Sequence, residues 1–191
     1  MEEALRALLP KMLGSVTTAF YPFPGKPALL RRLPDRLRSY RRWLPKDWRL
    51  LVVVDRDRDD CKDLKNRLER EAVRAGLSTR SSNPTGSFSV IKRIAIEELE
   101  AWYFGDWQAV RAAYPDLPAS IPNRARFRDP DAIAGGTWEA FQGIMQQAGY
   151  FLAGLNKTEV ARQVAPQMDP ARNNSRSFQV LRDALSQLVV R

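Results

Sequence analysis

Histidine is absent from this 191-residue chain, and cysteine occurs once, as Cys61. Without histidine, neither a Ser-His-Asp nor a Cys-His catalytic pair can be built, and no zinc site of the usual His/Cys kind can be assembled within one chain. A lone cysteine excludes an internal disulfide. No apolar run approaches the ~20 residues that span a bilayer. The N-terminus carries Glu2 and Glu3 and lacks the basic-then-apolar pattern of a signal peptide. These absences lead to the expectation of a cytoplasmic protein with no membrane partner. An enzyme built from this chain would work with carboxylates, Lys, Arg, Ser or Tyr, and a metal ion.

What is present fits a folded domain with a sizeable core: 44% of residues are hydrophobic and 28% charged. Lysine and arginine total 31 against 22 acidic residues, a net charge of +9. The excess is concentrated. Between Arg31 and Arg49 stand eight basic residues (Arg31, Arg32, Arg36, Arg38, Arg41, Arg42, Lys46 and Arg49) and two acids, Asp35 and Asp47. A basic stripe of this kind points to a polyanion, most simply DNA or RNA, although a solvated helix face explains the charge equally well.

The strongest chemical signal is Leu50-Leu51-Val52-Val53-Val54-Asp55-Arg56-Asp57-Arg58-Asp59-Asp60. A β-branched apolar run reads as a buried strand of a parallel sheet. Four carboxylates follow it within six residues, at the strand end where open α/β sheets place ligands. Asp55 and Asp57 point the same way if the extended conformation persists. With Asp59 they form a candidate Mg²⁺ or Mn²⁺ site suited to phosphate chemistry. Asp59 and Asp60 are also the better candidates to cap the helix that follows. A second acidic group, Glu97, Glu98 and Glu100, follows the next strand candidate, Phe88 to Ile96, and would share the same sheet edge if the two strands are parallel neighbours. First-turn acids that complement a helix macrodipole are the competing explanation.

Along the chain, Leu5, Leu8, Leu9 and Met12 are spaced as a helix stripe that conflicts with Pro10. Val16 to Phe23 reads as a strand. Pro27 suits the first turn of a helix striped by Leu30, Leu33, Leu37, Tyr40 and Leu44, with Pro34 a candidate interruption. Cys61, Leu64, Leu68, Ala72 and Ala75 stripe the next helix, which Gly76 ends. The alternation argues for a parallel sheet flanked by helices over 1–105. Residues 106–191 have little strand signal and read as a helical extension packed on the core, with helices at Trp107–Tyr114, Thr137–Ala148, Lys157–Val164 and Phe178–Val190. Gly25-Lys26-Pro27 is not a phosphate-binding P-loop, but Lys26 is a candidate phosphate contact, as are Lys157 and Arg176. Most of the five tryptophans sit beside helical stripes, and they are read as core before base-stacking.

Several of these segments together resemble the pattern of the "domain of unknown function 4276" family. They are Leu8-Leu9-Pro10-Lys11, Gly25-Lys26 with Leu29 and Leu30, Val54 through Cys61, Ile96-Glu97-Glu98-Leu99-Glu100-Ala101-Trp102, and Asn174-Ser175-Arg176-Ser177-Phe178. That family is in turn similar to Toprim folds, as in primases, topoisomerases and overcoming-lysogenization-defect nucleases. Such relatives often stand near ATPases in anti-phage loci. The resemblance implies an α/β Toprim-like core and phosphodiester cleavage. One part of the Toprim pattern is missing: an opening strand that ends in a glutamate. The chain begins directly at its first helix, so either the true start lies upstream or the sheet lacks that strand and its acid.

The resulting expectation is a Mg²⁺- or Mn²⁺-dependent, Toprim-like nuclease acting in anti-phage defence. Its catalytic residues would be Asp55, Asp57, Glu98 and Glu100, its metal ligands Asp55, Asp57 and Asp59. Lys26, Arg31, Arg32, Arg36, Arg38, Arg41 and Arg42 would hold the nucleic acid. The alternative is a non-catalytic nucleic-acid-binding or regulatory subunit that partners an ATPase. A third reading is a haloacid-dehalogenase-like phosphatase, whose site also opens with Asp-x-Asp; that family places Thr or Val where Asp59 stands.

Overall fold

A computed structural model describes residues 1–56, 59–84, 87–95 and 99–189. In chain order the elements are α1 (Glu2–Leu13), α2 (Gly25–Trp43), β1 (Leu50–Asp55), α3 (Cys61–Arg74), β2 (Val90–Ala95), α4 (Glu100–Gly105), α5 (Trp107–Ala113), α6 (Thr137–Gln147), α7 (Lys157–Val164) and α8 (Arg176–Val189). Short 3-10 turns stand at Ile121–Asn123, Ala125–Phe127, Pro130–Ala132 and Ala165–Gln167. The fold is mixed α/β: many helices and one small sheet, in which β1 and β2 pair in parallel. None of the described helices is long and apolar enough to cross a membrane.

Contacts divide the chain into two units, Met1–Phe20 with Ala95–Arg191, and Tyr21–Ile94. This differs from the division expected at 105/106, and α1 shows why. Its leucine stripe buries Leu5, Leu8, Leu9 and Leu13, and the helix packs against α7, α8 and the Ala165–Gln167 turn. The Lys11 ammonium donates to the carbonyls of Pro166 at 2.5 Å and Met168 at 2.7 Å, and Glu3 pairs with Arg162 at 3.1 Å. The helix continues past Pro10, whose carbonyl receives the Gly14 amide at 3.0 Å; Gly14 ends α1 at φ 63, a conformation that costs glycine little.

Apart from Ala95 at the end of β2, the described regular elements of the first unit are all helices, α or 3-10. Its core is aromatic-rich: Phe104 stacks on both Trp107 and Phe127, and Trp102 meets Phe178 edge-to-face at 5.3 Å. A buried polar knot joins the end of α4 to the start of α8. Asp131 accepts from the hydroxyls of Ser175 (3.1 Å) and Ser177 (2.7 Å) and from the Ser177 amide (3.1 Å). The Trp102 indole donates to Ser177 at 3.0 Å. Asn173 donates to the Trp102 carbonyl at 2.8 Å and accepts from the Ser175 amide at 3.0 Å. The Ser177 amide in the first turn of α8 is thereby satisfied, and an acid faces the positive end of the helix.

The second unit places α2 and α3 against the two-stranded sheet. Leu33 and Leu37 of α2, Leu64, Leu68 and Ala72 of α3, and Val54 and Val90 of the strands form one apolar cluster. Pro34 does not interrupt α2, because the helix runs through it to Trp43. Two expectations fail here. Residues 16–23 form no strand: they are irregular, with Val16 and Tyr21 exposed and prolines at 22 and 24 withholding backbone donors. Within β1 only Val54 is fully buried, and among the described residues the sheet has two strands, so both are edge strands.

At the α3–β2 side, Glu69 pairs with Lys92 of β2 and accepts from the buried Thr79 hydroxyl. Burial pushes the Glu69 carboxyl up, but the hydrogen bonds from Lys92 and Thr79 outweigh it and hold the group below its ordinary value of 4.5. A lowered carboxylate contributes stability that is complete above the unfolded value and is lost as pH falls through the folded one. Below pH 4.5 the wild type should therefore lose stability more steeply than Glu69→Gln, a difference read from denaturant midpoints measured across that window.

Gly105 lies against the polar knot. A Cβ there would stand 2.2 Å from Asn173 Oδ1 and 2.8 Å from the Ser175 backbone nitrogen. Both atoms are fixed by the hydrogen bonds above, so they cannot give way. Gly105→Ala should cost about 1–3 kcal/mol, the usual range for overpacking, measured by chemical denaturation.

Candidate functional site

The aspartate cluster begins where β1 ends. Asp55 is the last residue of the strand and is half-buried, so the strand delivers one carboxylate to the carboxyl edge of the sheet, as expected. Asp57 lies outside the described residues. Asp60 is the N-cap of α3: its Oδ1 accepts from the amides of Lys62 (2.8 Å) and Asp63 (3.0 Å). This satisfies two of the orphan donors at the helix start, the role for which it was the better candidate.

Asp59 is engaged differently. Its Oδ2 lies 2.8 Å from the Lys26 ammonium, which also donates to the Arg56 carbonyl at 2.8 Å. Lys26 comes from the first turn of α2, and its side chain is only 15% exposed. It therefore pins the loop after β1 from inside instead of reaching outward to a phosphate. A cation at Asp59 would have to displace this ammonium from the same oxygen. Among the described residues no three His, Cys, Asp or Glu side chains are grouped to hold a metal ion.

Of the second acidic group only Glu100 is among the described residues. Glu97 and Glu98 lie outside the described residues. Glu100 opens α4 in the first unit and is buried. Its Oε1 is 3.9 Å from the Lys157 ammonium, which itself lies 4.0 Å from the centre of the Trp138 ring. Lys157 thus serves an acid and an aromatic ring of its own unit. Arg176 is exposed at the first turn of α8. Tyr114 offers no base at neutral pH, since burial, with Glu159 adding to it, pushes its phenol up to about 12.

The arginines of α2 behave as a set. Leu33, Leu37 and Tyr40 face the core, whereas Arg31, Arg32, Arg36, Arg38, Arg41 and Arg42 are all exposed. Apart from the pair between Arg38 and Asp35, the helix carries no acid to offset them. The Arg41 stem lies over Gly76, the glycine that ends α3 at φ 74. The helix macrodipole favours the arginines of its last turn, Arg41 and Arg42.

The sequence reading missed the aromatic residues beside these arginines. Tyr21 and Trp43 are 53% exposed and Trp48 is 48% exposed, in contrast to Trp102 and Trp107, which are buried. The available signal was positional. Trp43 falls seven residues after Arg36 and eleven after Arg32, on the arginine face and off the leucine stripe.

The division of labour among the aspartates has a direct test. Asp60→Ala should destabilise the protein by about 1 kcal/mol, the usual cost of a lost N-cap, as measured by urea denaturation.

No curated protein and no solved structure matches the chain. A family model does match, over residues 1–186. That span takes in the β1 loop, the arginine helix α2 and the α4–α8 knot alike, and the chain belongs to the family described as domain of unknown function DUF4276.

Proposed function

We propose that the protein binds nucleic acid along the arginine face of α2 and processes its phosphodiester backbone with Mg²⁺ or Mn²⁺ at the carboxyl end of β1, in a Toprim-like arrangement. The observation that carries this reading is the six exposed arginines on one helix that has a single acid. Guanidinium groups match phosphate oxygens in bidentate geometry and stay charged at any working pH. A helix that buries leucines on one face and spends the others on arginine is built for a polyanion.

The donor chemistry at β1 fits Mg²⁺. This ion uses one or two carboxylates and completes its shell with water and substrate phosphates. Asp55 would hold it, with Asp57 assigned beside it on sequence grounds. Bound there, the ion would polarise a phosphoryl oxygen and lower the pKa of a coordinated water. The chain's own residues do the rest. Lys26 fixes the loop through Asp59 and the Arg56 carbonyl, Asp60 anchors it to α3, and the arginines neutralise flanking phosphates.

A second reading, a non-catalytic nucleic-acid-binding or regulatory subunit, draws on one specific observation. Of the acids after β1, Asp59 and Asp60 are already engaged by Lys26 and by the α3 amides.

Two measurements separate these readings. With Asp55→Ala and Asp57→Ala together, metal-dependent cleavage should be lost while nucleic-acid affinity stays within about threefold, under half the free-energy equivalent of a tenfold change. Cleavage that survives the double substitution sinks the metal assignment, and a wild type that binds but never cuts establishes the second reading. With Arg31→Ala and Arg42→Ala together, the slope of log affinity against log salt should become shallower by roughly 1.4–1.8, the equivalent of two phosphate contacts. An unchanged slope would remove α2 from the interface.

A further inference from the structure

We infer that the ligand of the α2 face is single-stranded nucleic acid, whose bases stack on an exposed aromatic row formed by Tyr21, Trp43 and Trp48. This deepens the proposed function and rests on its nucleic-acid reading. The row is continuous. Tyr21 and Tyr40 lie 6.2 Å apart, Tyr40 and Trp43 5.2 Å, and Trp43 and Trp48 6.3 Å between ring centres. Tyr40 is the buried member and fixes the others from beneath; the outer three rings are about half-exposed.

Each ring is held by a different local cause. Trp43 closes α2, and Pro45 follows once the chain has turned extended at Leu44. Trp48 sits on the next turn, where its amide donates to the Pro45 carbonyl at 3.1 Å. Arg49 clasps that turn by donating to the carbonyls of Lys46 (2.7 Å) and Trp48 (2.8 Å). Tyr21 lies under the Arg36 guanidinium, 5.2 Å from its ring centre. Leaving three large rings half in water is unfavourable for a free surface. The arginines alongside them disfavour burial against an apolar protein face.

Charge and rings together discriminate among polyanions. A duplex hides its base faces in the stack and offers phosphates and groove edges, so it would use the arginines and leave the rings idle. An unpaired strand offers both a phosphate track and free base faces, which every base possesses. Arg32 and Arg36 share a helix face with Trp43, so the charged track and the stacking platform run side by side. The predicted ligand is therefore an unpaired strand bound with little sequence preference. DNA and RNA share this chemistry and are separated by using both as probes.

The test is fluorescence anisotropy with labelled oligothymidylate and oligouridylate of about 20 nucleotides, longer than the ~4–16 nucleotides covered by a single-strand-binding fold, and with a duplex of matched length. The full-length wild type should bind one or both single strands at least about tenfold more tightly than the duplex, since stacking is worth ~1–3 kcal/mol per base. Trp43→Ala with Trp48→Ala should lose about tenfold or more on the single strand and leave duplex affinity unchanged. Tyr21→Leu, which keeps apolar area without the ring, should also weaken single-strand binding alone. Both sites are exposed, and an unchanged circular-dichroism melt confirms the fold of each variant.

The outcomes are distinct. If Arg31→Ala with Arg42→Ala weakens all probes while the tryptophan variant binds like the wild type, stacking is wrong and the nucleic-acid reading stands. If the duplex binds as tightly as the single strand, and the rings do not matter, the face is a duplex clamp and the inference fails. If the wild type binds none of the probes, both readings fall together.

Discussion

The start of α8 depends on one acid that it does not contain. Asp131, from the Pro130–Ala132 turn, receives two serine hydroxyls and a backbone amide at that helix end. In a buried setting, each of these groups would be costly if left without a partner. The Trp102 indole and Asn173 extend the network to α4, and Gly105 gives room for the close approach. The Glu-Ala-Trp stretch of α4 and the Asn-Ser-Arg-Ser-Phe stretch before and into α8 thus meet in the same knot. Their first role is architectural. A fully satisfied polar network specifies one packing where apolar contacts alone would allow several. Asn174 and Arg176, at the outer side of this start, are exposed.

The loop after β1 shows the same economy with a different outcome. A run of carboxylates suggests one shared purpose, but the described ones are sorted. Asp55 stays at the strand end, Asp59 receives an ammonium and Asp60 receives two amides. Lys26 is the sorting element. Its position on α2 links the first turn of the arginine helix to the acidic loop, so the charge-bearing face and the strand end belong to one framework within the Tyr21–Ile94 unit. A change in the loop is therefore also a change at the start of α2.

Much of the secondary structure was legible because the apolar periodicity was strong. The stripes Leu33–Leu37–Tyr40 and Leu64–Leu68–Ala72 locate α2 and α3, and α5, α6 and α7 fall close to their expected spans. Residues 16–23 misled because β-branched and aromatic residues give the same signal in an exposed irregular segment as in a strand; the prolines at 22 and 24 were the better guide. The extent of the sheet was not legible, since neighbours in a sheet are set by long-range pairing. The partner of Lys26 was hidden for a similar reason: about thirty residues separate it from Asp59, and local pattern carries no information on such a pair. The exposure of Trp43 was readable from its helical phase, whereas that of Trp48 depends on the turn held by Arg49.

The uneven burial of the tryptophans gives each unit its own optical signature. Trp43 and Trp48, half in water, belong to Tyr21–Ile94, while Trp102 and Trp107, both buried, belong to the other unit. Indole emission lies to the red in water and to the blue in an apolar core. Trp138, partly buried beneath the Lys157 ammonium, also belongs to the helical unit, so melting of that unit draws chiefly on the blue part of the emission, which Trp102 and Trp107 supply. The order in which the two parts lose structure can be followed in the unmodified protein, without adding a label to either.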